Sequence, residues 1–231
     1  LSKLCPLFNF NKLSLLLSWS LIIILGQNFI AGSWLFEGFE SKVISYLIFF
    51  YSFILIIEKR FKLYLFLSFI SLYSHFQAAF FCISFNLLFY ILLTKNFEQF
   101  IKLIIYLLLI SVPIISLILY EANYFTHLNI NQIFFERVYA QSSIFDLENQ
   151  VNKRNLIGIL IMLFFLFFEI ISYYLLKNKL NEKIKTLVIS LIISKLYFFI
   201  AIILDYLFKE NLSTFFIYRF SSILLLLTLL V

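Results

Sequence analysis

Charge is scarce in this 231-residue chain. Only 13% of its residues are Asp, Glu, Lys or Arg, about half the share of a soluble domain. That is too few to cover a water-facing surface, so a soluble globular fold is excluded. Glycine and proline are nearly as rare, at four and two residues. No glycine-rich phosphate loop can be built from them, and the Gly/Pro-interrupted helices at which several transporter folds bind substrate are missing. The two cysteines, Cys5 and Cys82, have no metal-ligand spacing and fall in different environments, so neither a disulfide nor a metal site is expected. HExxH, CxxC and the serine nucleophile elbow are absent, and no internal repeat supports a channel of stacked units. No motif calls for a cofactor or a metal.

What remains is strongly apolar. The chain is 63% hydrophobic, with 32 Phe and 14 Tyr, and its mean hydropathy is +1.02. With so little polar surface, the fold class is all-α: a polytopic transmembrane helical bundle forming a single membrane domain over 1–231. The Phe, Leu, Ile, Asn and Lys excess reads as an AT-rich coding bias. The chain begins at Leu1 and stops inside an apolar run from Ile223 to Val231, which reads as a fragment of a longer protein. The net charge of +6 does not point to nucleic acid, because the cations follow topology.

A span needs about 20 apolar residues. Eight spanning or re-entrant segments are expected, at 13–31, 43–57, 61–74, 77–93, 100–120, 155–176, 186–208 and 214–231. The interval from Phe61 to Leu93 is too long for one ordinary span and short for two. Polar Ser74-His75-Phe76-Gln77 at its middle suggests two short helices with a tight turn, a single long tilted helix being the alternative. Pro113 should kink the fifth segment. With the N-terminus inside, the inner links carry Lys3, Lys12, Lys59, Arg60, Lys62, Lys95, Lys102, Lys177, Lys179, Lys183 and Lys185. The outer links carry Lys42, Arg137, Lys153, Arg154, Lys209 and Arg219. This is the distribution the positive-inside rule requires, and a single helix across 61–93 would destroy it.

Polar side chains that are not topology cations then collect on the outer side, above all in a large outer loop at 121–154. Two ionisable residues remain within spans. Glu169 lies eight residues before Lys177 and Lys195 nine after Thr186, so both sit roughly 12 to 14 Å deep. On antiparallel neighbours they would pair, either as a helix-locking ion pair or as a proton or substrate relay. Asp205 and Arg219 could pair in the same way near the interface. His75 reads as a buried hydrogen-bonder or as a general base.

The order Gly26-Gln27-Asn28-Phe29-Ile30-Ala31, then Lys59-Arg60-Phe61-Lys62, then Ser74-His75-Phe76-Gln77-Ala78-Ala79 resembles bacterial O-antigen and exopolysaccharide repeat-unit polymerases over about residues 20–95. That family tends to carry Arg where this chain has Gly26, so a cation for the lipid pyrophosphate must come from elsewhere. The resemblance implies an inner-membrane, multi-pass glycosyltransferase. It would polymerise polyprenyl-pyrophosphate-linked oligosaccharide at the outer face, without a nucleotide, alongside chain-length or flippase partner proteins. On that reading Arg137, Arg154 and Arg219 hold pyrophosphate, His75 or Glu148 is the catalytic base, and Gln27, Asn28 and Gln77 bind sugar hydroxyls. The competing classes are a transporter or flippase of lipid-linked glycans, and a non-catalytic subunit of a membrane complex such as a respiratory one. In the last, Glu169 and Lys195 become the functional pair.

Overall fold

The computed structural model describes residues 41–126 and 153–207, together with Leu224, Leu227 and Thr228. Among these residues every regular element is helical: α1 Ser41–Ile57, α2 Phe61–Ser74, α3 Phe76–Thr94, α4 Phe97–Thr126, α5 Lys153–Leu176 and α6 Glu182–Leu207. The expected segments at 13–31 and most of 214–231 lie outside the described residues. Four helices are long and apolar enough to cross a membrane, over Phe76–Thr94, Phe97–Leu117, Leu156–Leu176 and Glu182–Leu204, while α1 and α2 are shorter apolar helices. The chain is a membrane protein, and its exposed side chains agree. On α5 the residues Leu160, Phe164, Phe167 and Phe168 are all more than half exposed, a surface that only lipid solvates well.

Two boundaries differ from expectation. Helix α4 continues to Thr126, and α5 already begins at Lys153. Both ends of the expected 121–154 loop are therefore helical, because a helix that leaves the bilayer can go on satisfying its own backbone in water. Helix α4 also passes through Pro113 without interruption. By its contacts the chain falls into two compact units, Phe39–Gln141 and a second formed by Leu1–Gly38 with Ser142–Val231.

In the Phe39–Gln141 unit, α1 to α4 run alternately up and down. Phe49 and Phe53 of α1 meet Phe85 and Phe89 of α3 in the same order, with ring centroids 5.9 Å and 4.7 Å apart, so these helices are parallel. Ser45 Oγ, near the start of α1, donates to the Ser71 carbonyl near the end of α2 at 3.1 Å. Phe61, the first residue of α2, packs edge-on against Tyr90 near the end of α3 at 5.6 Å. The chain therefore doubles back at His75, and a single long helix over 61–93 is ruled out. Leu55, Ile56, Tyr64, Tyr90, Leu103 and Leu107 close one end of this unit as a buried cluster. Helices in lipid gain nothing from hiding apolar area from lipid, so such aromatic packing and the few interior polar bonds carry the association.

Both tight links at that end use a left-handed lysine. Arg60 N–H bonds the Leu55 carbonyl and Lys59 N–H the Ile56 carbonyl, a Schellman closure of α1 with Lys59 at φ 58°. Lys95 ends α3 at φ 54°, ψ 19°. Glycine is the usual residue at such a position, since a Cβ there costs roughly 1 to 2 kcal/mol. Asn96 then caps α4 by accepting from Gln99 N–H at 3.0 Å.

In the second unit α5 and α6 form a hairpin through 177–181. Asn181 Oδ1 caps α6 by accepting from Ile184 N–H at 2.8 Å. The expected outcome of Lys59→Gly is an unfolding midpoint in detergent that is unchanged or higher. Lys59→Val, β-branched at positive φ, should cost about 1 to 2 kcal/mol.

Candidate functional site

Glu169 of α5 and Lys195 of α6 lie side by side. Lys195 Nζ donates to Glu169 Oε1 at 2.5 Å and to Thr228 Oγ1 at 2.6 Å, and Thr228 in turn donates to the Leu224 carbonyl at 2.7 Å. The ammonium also faces the Phe165 ring at 6.0 Å. The Lys195 side chain is wholly buried and that of Glu169 is 6% exposed. Their depth follows from the hairpin. Glu169 lies seven residues before the end of α5 and Lys195 thirteen after the start of α6, near the middle of the two apolar spans, where an unpaired ionisable group costs about 2.5 to 3.5 kcal/mol. Pairing removes most of that cost. One carboxylate oxygen, Oε2, has no hydrogen-bond partner. The centre ties three segments together: α5, α6 and the C-terminal helical residues.

The other described candidates lie at the α2–α3 turn. His75 adopts an extended backbone (φ −160°, ψ 95°) that ends α2 and caps α3. Its Nδ1 accepts from Ala78 N–H at 3.2 Å. Ala79 N–H bonds the His75 carbonyl at 3.0 Å. Because Nδ1 is occupied as an acceptor, the neutral ring carries its proton on Nε2. In this geometry the imidazole serves as the N-terminal cap of α3 through Nδ1. Gln77, in the first turn of α3, is half-buried.

Gln27, Asn28, Arg137, Glu148 and Arg219 lie outside the described residues. Arg154 falls in the first turn of α5. Asp205 falls in the last turn of α6.

Sequence reasoning missed a buried polar centre in the Phe39–Gln141 unit. Asn86 Nδ2 of α3 donates to Ser52 Oγ of α1 at 3.0 Å, and Ser52 donates to the Phe49 carbonyl at 2.9 Å. The Tyr64 hydroxyl of α2 lies near Ser68 and Asn86 but reaches hydrogen-bond geometry with neither. The signal was present in outline: an asparagine inside an apolar run, and serines at helical spacing on the helices either side. Among the described residues no group of His, Cys, Asp and Glu could hold a metal ion.

No family model matches the chain, and no curated protein or solved structure matches it either.

Two outcomes follow from this geometry. Lys195→Met should destabilise the detergent-solubilised protein by about 3 kcal/mol, because Glu169 is left buried and unpaired, and Glu169→Leu added to it should recover much of the loss. His75→Ala should cost about 1 kcal/mol through the lost cap, whereas His75→Asn, a strong capping residue, should not. Chemical or thermal unfolding of the purified variants measures both.

Proposed function

We propose that this chain is an integral membrane glycosyltransferase of the polysaccharide-polymerase type. It crosses the inner membrane eight times with its N-terminus inside. It extends a glycan held on polyprenyl pyrophosphate at the outer face.

The observation that carries this reading is the reversal of the chain at His75. It sets the Ser74–Ala79 stretch at the end of its unit opposite the cationic links Glu58–Lys62 and Lys95–Asn96. Under the positive-inside rule the cationic end is cytoplasmic, which leaves His75 and Gln77 at the outer boundary. The resembling motif order requires that arrangement. Chemistry on a lipid-linked sugar also belongs at that boundary, where the pyrophosphate and the sugars are in water and the isoprenoid tail is in lipid.

The reaction forms a glycosidic bond and releases a pyrophosphate. The acceptor hydroxyl attacks the anomeric carbon of the donor, the bond from that carbon to the pyrophosphate oxygen breaks, and the hydroxyl proton goes to a base. Arg137, Arg154 and Arg219 neutralise the departing pyrophosphate, since guanidinium matches phosphate oxygens in a bidentate fork. Gln27, Asn28 and Gln77 hold sugar hydroxyls. His75 donates through Nε2, and Glu148 is the residue assigned to take the proton.

A second reading rests on the buried Glu169–Lys195–Thr228 centre. Charges held inside a membrane often mark pathways, and this favours a flippase of lipid-linked glycans or a subunit of a membrane complex.

The deciding experiment is complementation of a polymerase-null strain that supplies a matched lipid-linked unit, with polysaccharide resolved on a gel. A restored ladder, lost on Arg137→Ala or Arg219→Ala and weakened at least roughly tenfold by His75→Asn, is expected. His75→Asn keeps the cap, so its loss reports chemistry and not folding. No ladder despite membrane expression, or a ladder indifferent to all three changes, overturns the proposal.

A further inference from the structure

The cationic end of the Phe39–Gln141 unit carries more than a topology signal. Its two links hold Lys59, Arg60, Lys62 and Lys95, all exposed, with Lys102 one turn into α4. Two carboxylates answer them. Glu58 pairs with Arg60 at 3.4 Å and Glu98 with Lys102 at 2.5 Å. Lys59, Lys62 and Lys95 have no acidic partner among the described residues.

Two of these three lysines occupy the left-handed positions. They are the non-glycine residues of positive φ among the described residues. Glycine would fill both positions without the Cβ clash. The backbone thus gives no reason for lysine there, and the side chain must supply one.

The two links also lie together. Helices α1 and α3 are parallel, and Phe61 beside the first link contacts Tyr90 beside the second. Immediately inward sits the buried cluster of Leu55, Tyr64, Tyr90 and Leu103. Unpaired ammonium groups therefore ring the rim of an apolar bundle, at the level where a bilayer presents its headgroups.

We propose that Lys59, Lys62 and Lys95 form a binding surface for anionic phospholipid headgroups. The ligand is a lipid phosphate ester carrying net negative charge, phosphatidylglycerol being the simplest case. Charge complementarity selects it over a zwitterionic headgroup. An ammonium on a flexible stem can follow a mobile phosphate, and each such cation near an anionic surface contributes attraction that salt weakens. The surface acts on the bilayer and is independent of the glycosyltransferase reading.

The test uses the full chain reconstituted in vesicles of phosphatidylcholine containing a minor fraction of spin-labelled phosphatidylglycerol or spin-labelled phosphatidylcholine. Electron paramagnetic resonance reads the fraction of each label immobilised at the protein. The expected result is a several-fold preference for phosphatidylglycerol at low ionic strength, reduced by salt. In a Lys59→Asn, Lys62→Gln, Lys95→Asn variant the preference should fall close to parity. Asparagine tolerates the left-handed conformation, so the links keep their shape, and circular dichroism checks that the helices remain. A control, Lys177→Gln, Lys179→Gln, Lys183→Gln, removes the same charge from the α5–α6 link and should leave most of the preference in place. Equal association of the two lipids with the unaltered chain overturns the proposal. So does a preference that survives the triple change, or one lost equally in the control.

Discussion

Hydrocarbon cannot hydrogen-bond, and most of this structure follows from that. Every backbone amide within the bilayer must find a partner inside the chain, so the described residues are helices joined by the shortest available turns. The turns are where the backbone has to be satisfied by other means. At Lys59–Arg60 the Schellman bonds do it, at His75 an imidazole, and at Asn96 and Asn181 a side-chain amide. Lipid also removes the usual reason for helices to associate, since an apolar face is equally content against a neighbour or an acyl chain. Specific contacts must then select the neighbours.

The two units select theirs differently. In the Phe39–Gln141 unit the contacts are aromatic and weakly polar: the Phe49, Phe53, Phe85 and Phe89 ladder, the Asn86–Ser52 bond and the Ser45 tie to the Ser71 carbonyl. Each contributes modestly, about 1 kcal/mol or less, and they work as a set along the α1–α3 seam. In the second unit one ion pair with a threonine dominates. Lys195 reaches partners on two other segments at once. A charge in lipid accepts few alternatives, so register there is set by one costly group and not by many cheap ones.

Polar residues were the legible part of the sequence because each is a misfit that apolar surroundings must accommodate. Glu58 to Arg60 and Ser74 to Gln77 punctuate the apolar runs, so the bounds of α2 could be read directly and those of α3 to within a residue. Depth counting from a shared link was enough to set Glu169 beside Lys195, since an antiparallel hairpin makes depth a matter of arithmetic. The third partner, Thr228, was not legible, because nothing in a run of leucines says which threonine faces inward. Asn86 with Ser52 was missed for the same reason, and so was the extension of α4 past Tyr120. The polar residues there suggest a loop, although a helix satisfies its backbone equally well in water.

Composition and spacing alone determined the membrane class, the helical architecture, the reversal near His75 and the pairing of Glu169 with Lys195. All of these depend on one-dimensional quantities: length, hydropathy and distance from a link. Tertiary structure decided what each polar atom touches. It made His75 a helix cap whose Nδ1 is already engaged, added Thr228 to the ion pair, and gathered Lys59, Lys62 and Lys95 at one rim. Those outcomes depend on helix rotation and on left-handed turns, which follow from packing between segments distant in sequence.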